Sequence, residues 1–282
     1  MSYLASQTEL TPRYGRRLSR SRAARSASNS PVFTTHRLTR RYPAQLKMPD
    51  AGVLHLWRFR ASWLPVAIHE SEKWLSDAER NRARFHPNAA LRHRYIASRV
   101  MLRWIGANLT GLPPREVQIV DGHGEHRGAQ IVVGDRCLSV DIAFGGIWVL
   151  IGIGPSTLGL GITMPRPGSE TSGAEDLARA SVWEFAQAST RRQQEDASRR
   201  HADALRRTAR HTSLSGAMRV EDATAAGDDL DELDEDSPAV WIDLADEGRW
   251  HVIDVPMPGE IRGAISVAQP VRQIHAVGWI GP

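Results

Sequence analysis

Three arginines could lie on one face of a helix and bind phosphate there. Arg92, Arg99 and Arg103 follow one another at intervals of seven and four residues, which places side chains on the same side of an α-helix. A guanidinium has a planar set of donors suited to forked contacts with phosphate or carboxylate. Two interpretations stay open for Arg99 and Arg103: phosphate binding, or intramolecular ion pairs, for instance with Glu79.

A second candidate group consists of His123 and His126 on either side of Glu125. Zinc sites need about four converging ligands, and this pair lies in a Gly-rich turn without a second pair, so the sequence favours a plain surface loop. The single cysteine, Cys137, excludes an intramolecular disulfide and a cysteine-rich zinc site, which fits a reducing, cytoplasmic setting. The nine tryptophans are scattered along the chain, and core packing explains them better than base stacking.

The charge of the chain is unevenly distributed. Its 282 residues are 41% apolar and carry a formal net charge of +4, enough apolar content for one large or two small domains. Residues 1–47 contain ten cationic side chains and Glu9 as their one acid, a balance of +9 that leaves about −5 for the remainder. The remainder is therefore expected to be mildly acidic, and the high pI belongs to the N-terminal segment.

Residues 1–50 are rich in Ser and Arg and poor in apolar side chains, so they are expected to be a disordered leader. Their composition also resembles an organelle transit peptide, and a misassigned start codon would look the same. The positive charge could attract nucleic acid or anionic lipid, but few aromatic residues, such as Tyr14 and Phe33, interleave with the arginines. We therefore expect a solvated segment. No run of eighteen apolar residues predicts a membrane span.

Capping and alternation signals predict the elements that must hold the candidate residues. Residues 53–59 alternate as a strand, and Ser76 with Glu79 forms a capping box that opens a helix to about residue 85. A longer helix is predicted from about residue 91 to residue 109, because Gly111 and Pro113 follow it. Further strands are predicted at 117–120, 130–133, 138–142, 147–153, 158–163, 239–244, 250–255, 263–267 and 274–279, with a helix over 174–214 and an acidic, disordered loop over 221–237.

This order of elements predicts an α+β chain with two pseudo-equivalent lobes. The succession of a strand, helices and further strands in the first half of the chain is followed by a similar succession of a helix and strands in the second half. The lobes are expected over residues 51–155 and 156–282.

The sequence also contains runs that match known motifs. Residues 75–85 read LSDAERNRARF, residues 94–103 read RYIASRVMLR, and WHV at 250–252 is followed by GAISVA at 263–268. In order and spacing these runs resemble the larger, two-lobed 4′-phosphopantetheinyl transferases, over about residues 53–282.

The resemblance implies the transfer of the phosphopantetheine arm of coenzyme A onto a serine of an acyl or peptidyl carrier protein. It implies an active site between the lobes, with Mg²⁺ held by the acids of a G-x-D-x-E strand and a W-x-x-K-E-A helix. A hard cation with oxygen ligands would neutralise charge on the departing phosphate. One of those glutamates or a bound water would act as the base.

The metal-binding acids of the family are replaced in this chain. By alignment with those motifs, Gly161 stands at the aspartate, Thr163 at the first glutamate and Gln187 at the second. Arg191 stands at a later lysine, and together with Arg99 and Arg103 it is the implied coenzyme A contact. Loss of metal assistance costs several kcal/mol of transition-state stabilisation. The sequence therefore predicts impaired catalysis.

Two other acids could rebuild a displaced metal site. Asp141 lies where the family's phosphate-gripping Ser-His pair is expected, and Glu184 precedes Gln187 by three residues on the same helix face. The alternative, which the sequence favours, is that Asp141 ends a strand and that Glu184 is a solvated helix residue.

The sequence thus predicts a cytoplasmic, monomeric member of this transferase superfamily with degraded catalysis. Its expected partners are coenzyme A and a carrier protein, without nucleic acid or membrane. Two alternatives remain open: a non-enzymatic protein that keeps only the carrier-binding surface, and a decaying gene product without selected function.

Overall fold

A computed structural model describes residues 22–26, 30–122, 128–165, 191–218, 237–244 and 248–279, with the backbone alone at 22–26, 68–69 and 191–198. In chain order the strands are β1 (Arg22–Ser26), β2 (Val32–His36), β3 (Val53–Arg60), β4 (Gln118–Val120), β5 (Ala129–Val133), β6 (Arg136–Gly145), β7 (Trp148–Gly154), β8 (Leu158–Thr163), β9 (Ala239–Leu244), β10 (Gly248–Val255), β11 (Arg262–Val267) and β12 (Gln273–Val277). The helices are α1 (Ile68–Ser71), α2 (Asp77–Arg84), α3 (Ala89–Thr110) and α4 (Arg191–Ala217), with a 3-10 turn at Glu72–Trp74.

The strands form two sheets, so the chain is a mixed α/β protein. The larger sheet has the order β2-β12-β3-β7-β6-β5-β4, and the smaller sheet has the order β1-β9-β10-β11-β8. All neighbouring strands are antiparallel except β12, which runs parallel to both β2 and β3.

The described elements are arranged in four layers, with α3 and α4 outside the two sheets. One face of the larger sheet packs on α3 through residues such as Trp57 and Met101. Its other face packs on the smaller sheet, where Leu56 joins Leu160 and Ile265 in one buried cluster. The outer face of the smaller sheet packs on α4. The alternation of side chains along each strand supplies these two apolar faces.

Local signals define the first two long helices as the sequence predicts. The Ser76 hydroxyl accepts a hydrogen bond from the backbone N–H of Glu79 at 3.2 Å, and the Glu79 carboxylate accepts one from the backbone N–H of Ser76 at 2.8 Å. The predicted capping box is therefore confirmed. Gly111 ends α3 with a φ of 74°, a left-handed conformation that glycine adopts without steric strain.

Over the described residues, the structure differs from two expectations about chain organisation. Within the expected leader, residues 1–50, the described part contributes β1 and β2, and β2 is an edge strand of the larger sheet beside β12; residues 1–21 and 27–29 lie outside the described residues. The expected second lobe, residues 156–282, ends in β12, which lies inside the larger sheet between β2 and β3. The physical reason is long-range backbone pairing, which local composition does not reveal. Residues 174–190 of the predicted helix and residues 221–236 of the predicted acidic loop lie outside the described residues.

Candidate functional site

Among the candidate arginines of α3, Arg99 and Arg103 are buried against an acid, whereas Arg92 is exposed. Arg99 Nε donates to Glu79 Oε1 at 2.9 Å, and Arg103 Nε donates to Glu79 Oε2 at 2.8 Å. The three side chains are only 4–7% exposed. This arrangement is the intramolecular ion pair that the sequence left open. Paired burial of this kind satisfies charges that would otherwise be costly to remove from water.

Arg103 is bound further by the chain's own carbonyl groups. Its Nη1 donates to the backbone oxygens of Pro114, Arg115 and Val117 at 3.1, 3.3 and 3.2 Å. These contacts hold the segment after α3 against the helix. Arg103 therefore has a structural role in this arrangement, and its position does not favour the phosphate contact considered from the sequence.

Arg99 differs because it also borders a small cavity of about 220 Å³. Its Nη2 donates to Asp121 Oδ1 at 2.7 Å, and Arg82 Nη1 lies 3.6 Å from Asp121 Oδ2. Burial lowers the pKa of Arg99, but the carboxylates of Glu79 and Asp121 outweigh that effect and raise its pKa above the ordinary value. The guanidinium is therefore charged and already neutralised by two acids, which weakens its attraction for an added phosphate.

Asp141 lies on the wall of the same cavity and joins the two sheets. Its Oδ1 accepts a hydrogen bond from the N–H of Ile142 at 2.8 Å, and its Oδ2 accepts one from the N–H of Leu160 on β8 at 2.7 Å. Burial raises the pKa of Asp141, and these two backbone hydrogen bonds partly oppose that shift. Both oxygens already have donors, so Asp141 serves as a link between β6 and β8 within β6, not at a strand end as expected.

The backbone of α4 lies directly against β8, the strand that the motif alignment matches to the metal-binding acids of the resembled family. A Cβ atom added at Gly161 would lie 1.9 Å from the carbonyl oxygen of Ala209, and one added at Gly159 would lie 2.1 Å from that of Ser213. Real Cβ atoms essentially never come within 3.0 Å of such an atom. Glycine at these positions is what allows α4 to lie directly on β8.

The other family positions add no carboxylate in the described part of the chain. Thr163 is half-buried at the end of β8. Gln187 and Glu184 lie outside the described residues, as do His123, Glu125 and His126, and Arg191 is described only as the first backbone position of α4. Within the described ranges, no group of three or more His, Cys, Asp or Glu side chains is arranged to hold a metal ion. Gly161, Thr163 and Asp141, as placed, do not fit a magnesium site of the family type.

A larger cavity, of about 750 Å³, lies elsewhere, and none of the sequence motifs predicts it. Its lining includes Arg58, Arg60, Trp148 and Trp279, although core packing had been the expected role of the tryptophans. A usable signal was present in the alternation of residues 57–60, Trp-Arg-Phe-Arg. Two arginines separated by one residue in a strand must lie on the same face of the sheet.

No protein-family model matches the sequence, and no curated protein matches it. The resemblance to phosphopantetheinyl transferases therefore stays a prediction made from the motifs. Among the described helices, none is long and apolar enough to cross a membrane.

Proposed function

We propose that this chain is a member of the phosphopantetheinyl transferase superfamily that binds a carrier protein without performing metal-dependent transfer. The proposal rests on the motifs of residues 75–103 and on the layout of two packed sheets with outer helices. Within those motifs, Glu79, Arg99 and Arg103 form one buried cluster. The buried cluster gives these three motif residues a structural role. They therefore support a shared fold with the family, and they give no support for retained catalysis.

The proposal that the chain does not catalyse transfer rests on the close packing of the α4 backbone against Gly161. An aspartate at that position would have to displace the backbone of α4, since even its Cβ atom would lie 1.9 Å from a carbonyl oxygen. Two further contacts hold the helix there: Arg210 binds both carboxylate oxygens of Asp254 at 2.8 and 2.9 Å, and the Ser213 and Ser266 hydroxyl oxygens lie 2.6 Å apart. The packing thus favours a chain adapted to glycine at position 161.

The surface around the connection between α2 and α3 supports the binding part. Phe85 is 85% exposed and Leu91 is 39% exposed, and Arg84 and Arg92 are exposed beside them. Neither arginine forms an ion pair in the part of the chain that the structure describes. An exposed aromatic and an exposed aliphatic side chain beside two cations without ion pairs among the described residues suit a protein partner that has an acidic rim and an apolar centre. A carrier protein is the partner that the resemblance implies.

The test combines a transfer assay with a binding assay. Purified protein is incubated with fluorescent coenzyme A, Mg²⁺ or Mn²⁺, and a panel of apo carrier proteins, and carrier binding is measured calorimetrically in EDTA. We expect no labelling and at least one carrier bound in EDTA. The double variant Arg84→Glu/Arg92→Glu should weaken that binding about tenfold or more, whereas Arg115→Glu, an exposed change beyond the other end of α3, should not.

Two results would contradict the proposal. Metal-dependent labelling that is lost in Asp141→Asn would show that the chain is an active transferase with a relocated metal site. If no carrier protein binds, the proposed function is wrong even if labelling is also absent.

A further inference from the structure

The larger cavity is a groove lined by arginine and tryptophan side chains. We define the arginine–tryptophan groove by Arg37, Arg58, Arg60, Trp63, Trp148 and Trp279. Its volume of about 750 Å³ lies within the usual range for small-molecule sites. It shares no lining residue with the cavity beside Arg99, and it is independent of the proposed function.

The strands of the larger sheet build this groove. Arg58 and Arg60 extend from the same face of β3, and Arg60 pairs with Trp148 across to β7. The Arg58 guanidinium carbon lies 4.5 Å from the ring centroid of Trp279 and 5.3 Å from that of Trp148. The Arg60 guanidinium carbon lies 5.1 Å from the Trp148 centroid. These cation–π contacts hold the two guanidiniums in defined orientations before any ligand arrives.

The charge of the groove is positive and unbalanced. Its lining contains three arginines and no carboxylate, and none of Arg37, Arg58 and Arg60 forms an ion pair among the described residues. Arg58 donates to the carbonyl oxygen of Gly278 at 2.9 Å, but its Nε is buried without a hydrogen-bond partner. A buried cation is costly to keep charged, and a negative charge in the groove would stabilise the charged form of Arg58 through space.

An exposed tryptophan, Trp63, is part of the lining of the groove. Trp63 is 61% exposed, and its backbone N–H donates to the carbonyl oxygen of Arg60 at 2.9 Å, which fixes its position beside that arginine. Trp63 lines the groove together with the three arginines, so its exposed ring faces the same space as their cations. Its ring offers a platform on which a planar group can stack.

We propose that the arginine–tryptophan groove binds a nucleoside phosphate. The base stacks on Trp63, and the phosphates make forked hydrogen bonds with the exposed guanidiniums of Arg37 and Arg60. Three features together select this class of ligand: three unbalanced cations, a free aromatic platform, and a volume suited to one mononucleotide. A simple anion would leave the aromatic platform unused, and a neutral aromatic compound would leave the cations unpaired.

The proposal is tested by calorimetric titration of the full chain with ADP, and in parallel with adenosine and with pyrophosphate. We expect ADP to bind at least tenfold more tightly than adenosine and at least tenfold more tightly than pyrophosphate. Arg60→Gln and Trp63→Ala should each weaken ADP binding about tenfold, because one removes a phosphate contact and the other removes the stacking surface. Both side chains are exposed, so the variants should keep the wild-type melting temperature.

Control variants separate this groove from other cationic sites. Arg82→Gln, in the cavity beside Arg99, and Arg136→Gln, in an exposed pair with Asp50, should leave ADP binding unchanged. The proposal is overturned if ADP does not bind, if pyrophosphate binds as tightly as ADP, or if an oligo-aspartate peptide binds more tightly than ADP. Loss of ADP binding in Arg82→Gln but not in Arg60→Gln would also overturn it.

Discussion

Restoring an aspartate at position 161 tests whether the missing acid reflects a lost metal ligand or a packing requirement. In Gly161→Asp the new Cβ atom would begin 1.9 Å from the carbonyl oxygen of Ala209. To lengthen this distance to the 3.0 Å that real Cβ atoms keep, β8 and α4 must separate locally by about 1.1 Å. The packed interior has little free space for the Cβ atom to move elsewhere. The bonds of Arg210 to Asp254 and of Ser213 to Ser266 oppose that shift.

The expected cost is large. Overpacking of a well-packed interior costs about 1–3 kcal/mol, and an unpaired carboxylate placed against a helix backbone adds to that cost. We therefore expect Gly161→Asp to lower the free energy of unfolding by about 3 kcal/mol or more, without gain of transfer activity. Urea unfolding monitored by circular dichroism measures the stability, and labelling with fluorescent coenzyme A and Mg²⁺ measures the activity.

Thr163→Glu is the matched control for this change. Thr163 is half-buried at the end of β8, so an acid there should cost less than about 1 kcal/mol. The packing argument is refuted if Gly161→Asp is as stable as the wild-type chain. It is equally refuted if Gly161→Asp, alone or with Thr163→Glu, acquires magnesium-dependent transfer, since the site would then have room for the metal ligand.

Other predictions concern stability. Glu79→Gln should lower the free energy of unfolding by about 3 kcal/mol in urea titrations, because it leaves two buried guanidiniums with half their acceptor charge; a loss below about 1 kcal/mol would argue against a buried cluster. Burial, with the nearby His275 and His36, lowers the pKa of His55 to about 3. In the unfolded chain His55 takes up a proton near pH 6.5, whereas in the folded chain it stays neutral down to about pH 3. The unfolded state is therefore favoured increasingly as the pH falls below 6.5, and the free energy of unfolding drops by about 3 kcal/mol at pH 4.5. His55→Gln should reduce the difference in unfolding free energy between pH 7 and pH 4.5 by a similar amount, and an unchanged difference would contradict this assignment.

Much of the fold could be predicted from local patterns. Strand positions follow from alternation, as in residues 53–59 of β3, and helix starts follow from caps such as Ser76. The candidate site was less accessible to prediction. The spacing of Arg99 and Arg103 correctly places both on one face of α3, but the spacing cannot tell whether a phosphate or Glu79 will meet them. Both are anions, and both suit a guanidinium equally well.

By itself the sequence determined the helix caps, the strand alternation and the absence of acids at Gly161 and Thr163. These properties depend on residues within a few positions of one another. Only the tertiary structure decided why glycine stands at position 161, since that depends on the close approach of α4 to β8. It also decided that β12 enters the larger sheet, and that Arg58 and Arg60 meet Trp148 and Trp279 in one groove. These contacts join residues far apart in the chain, and their free energies arise from packing and charge pairing that local sequence does not specify.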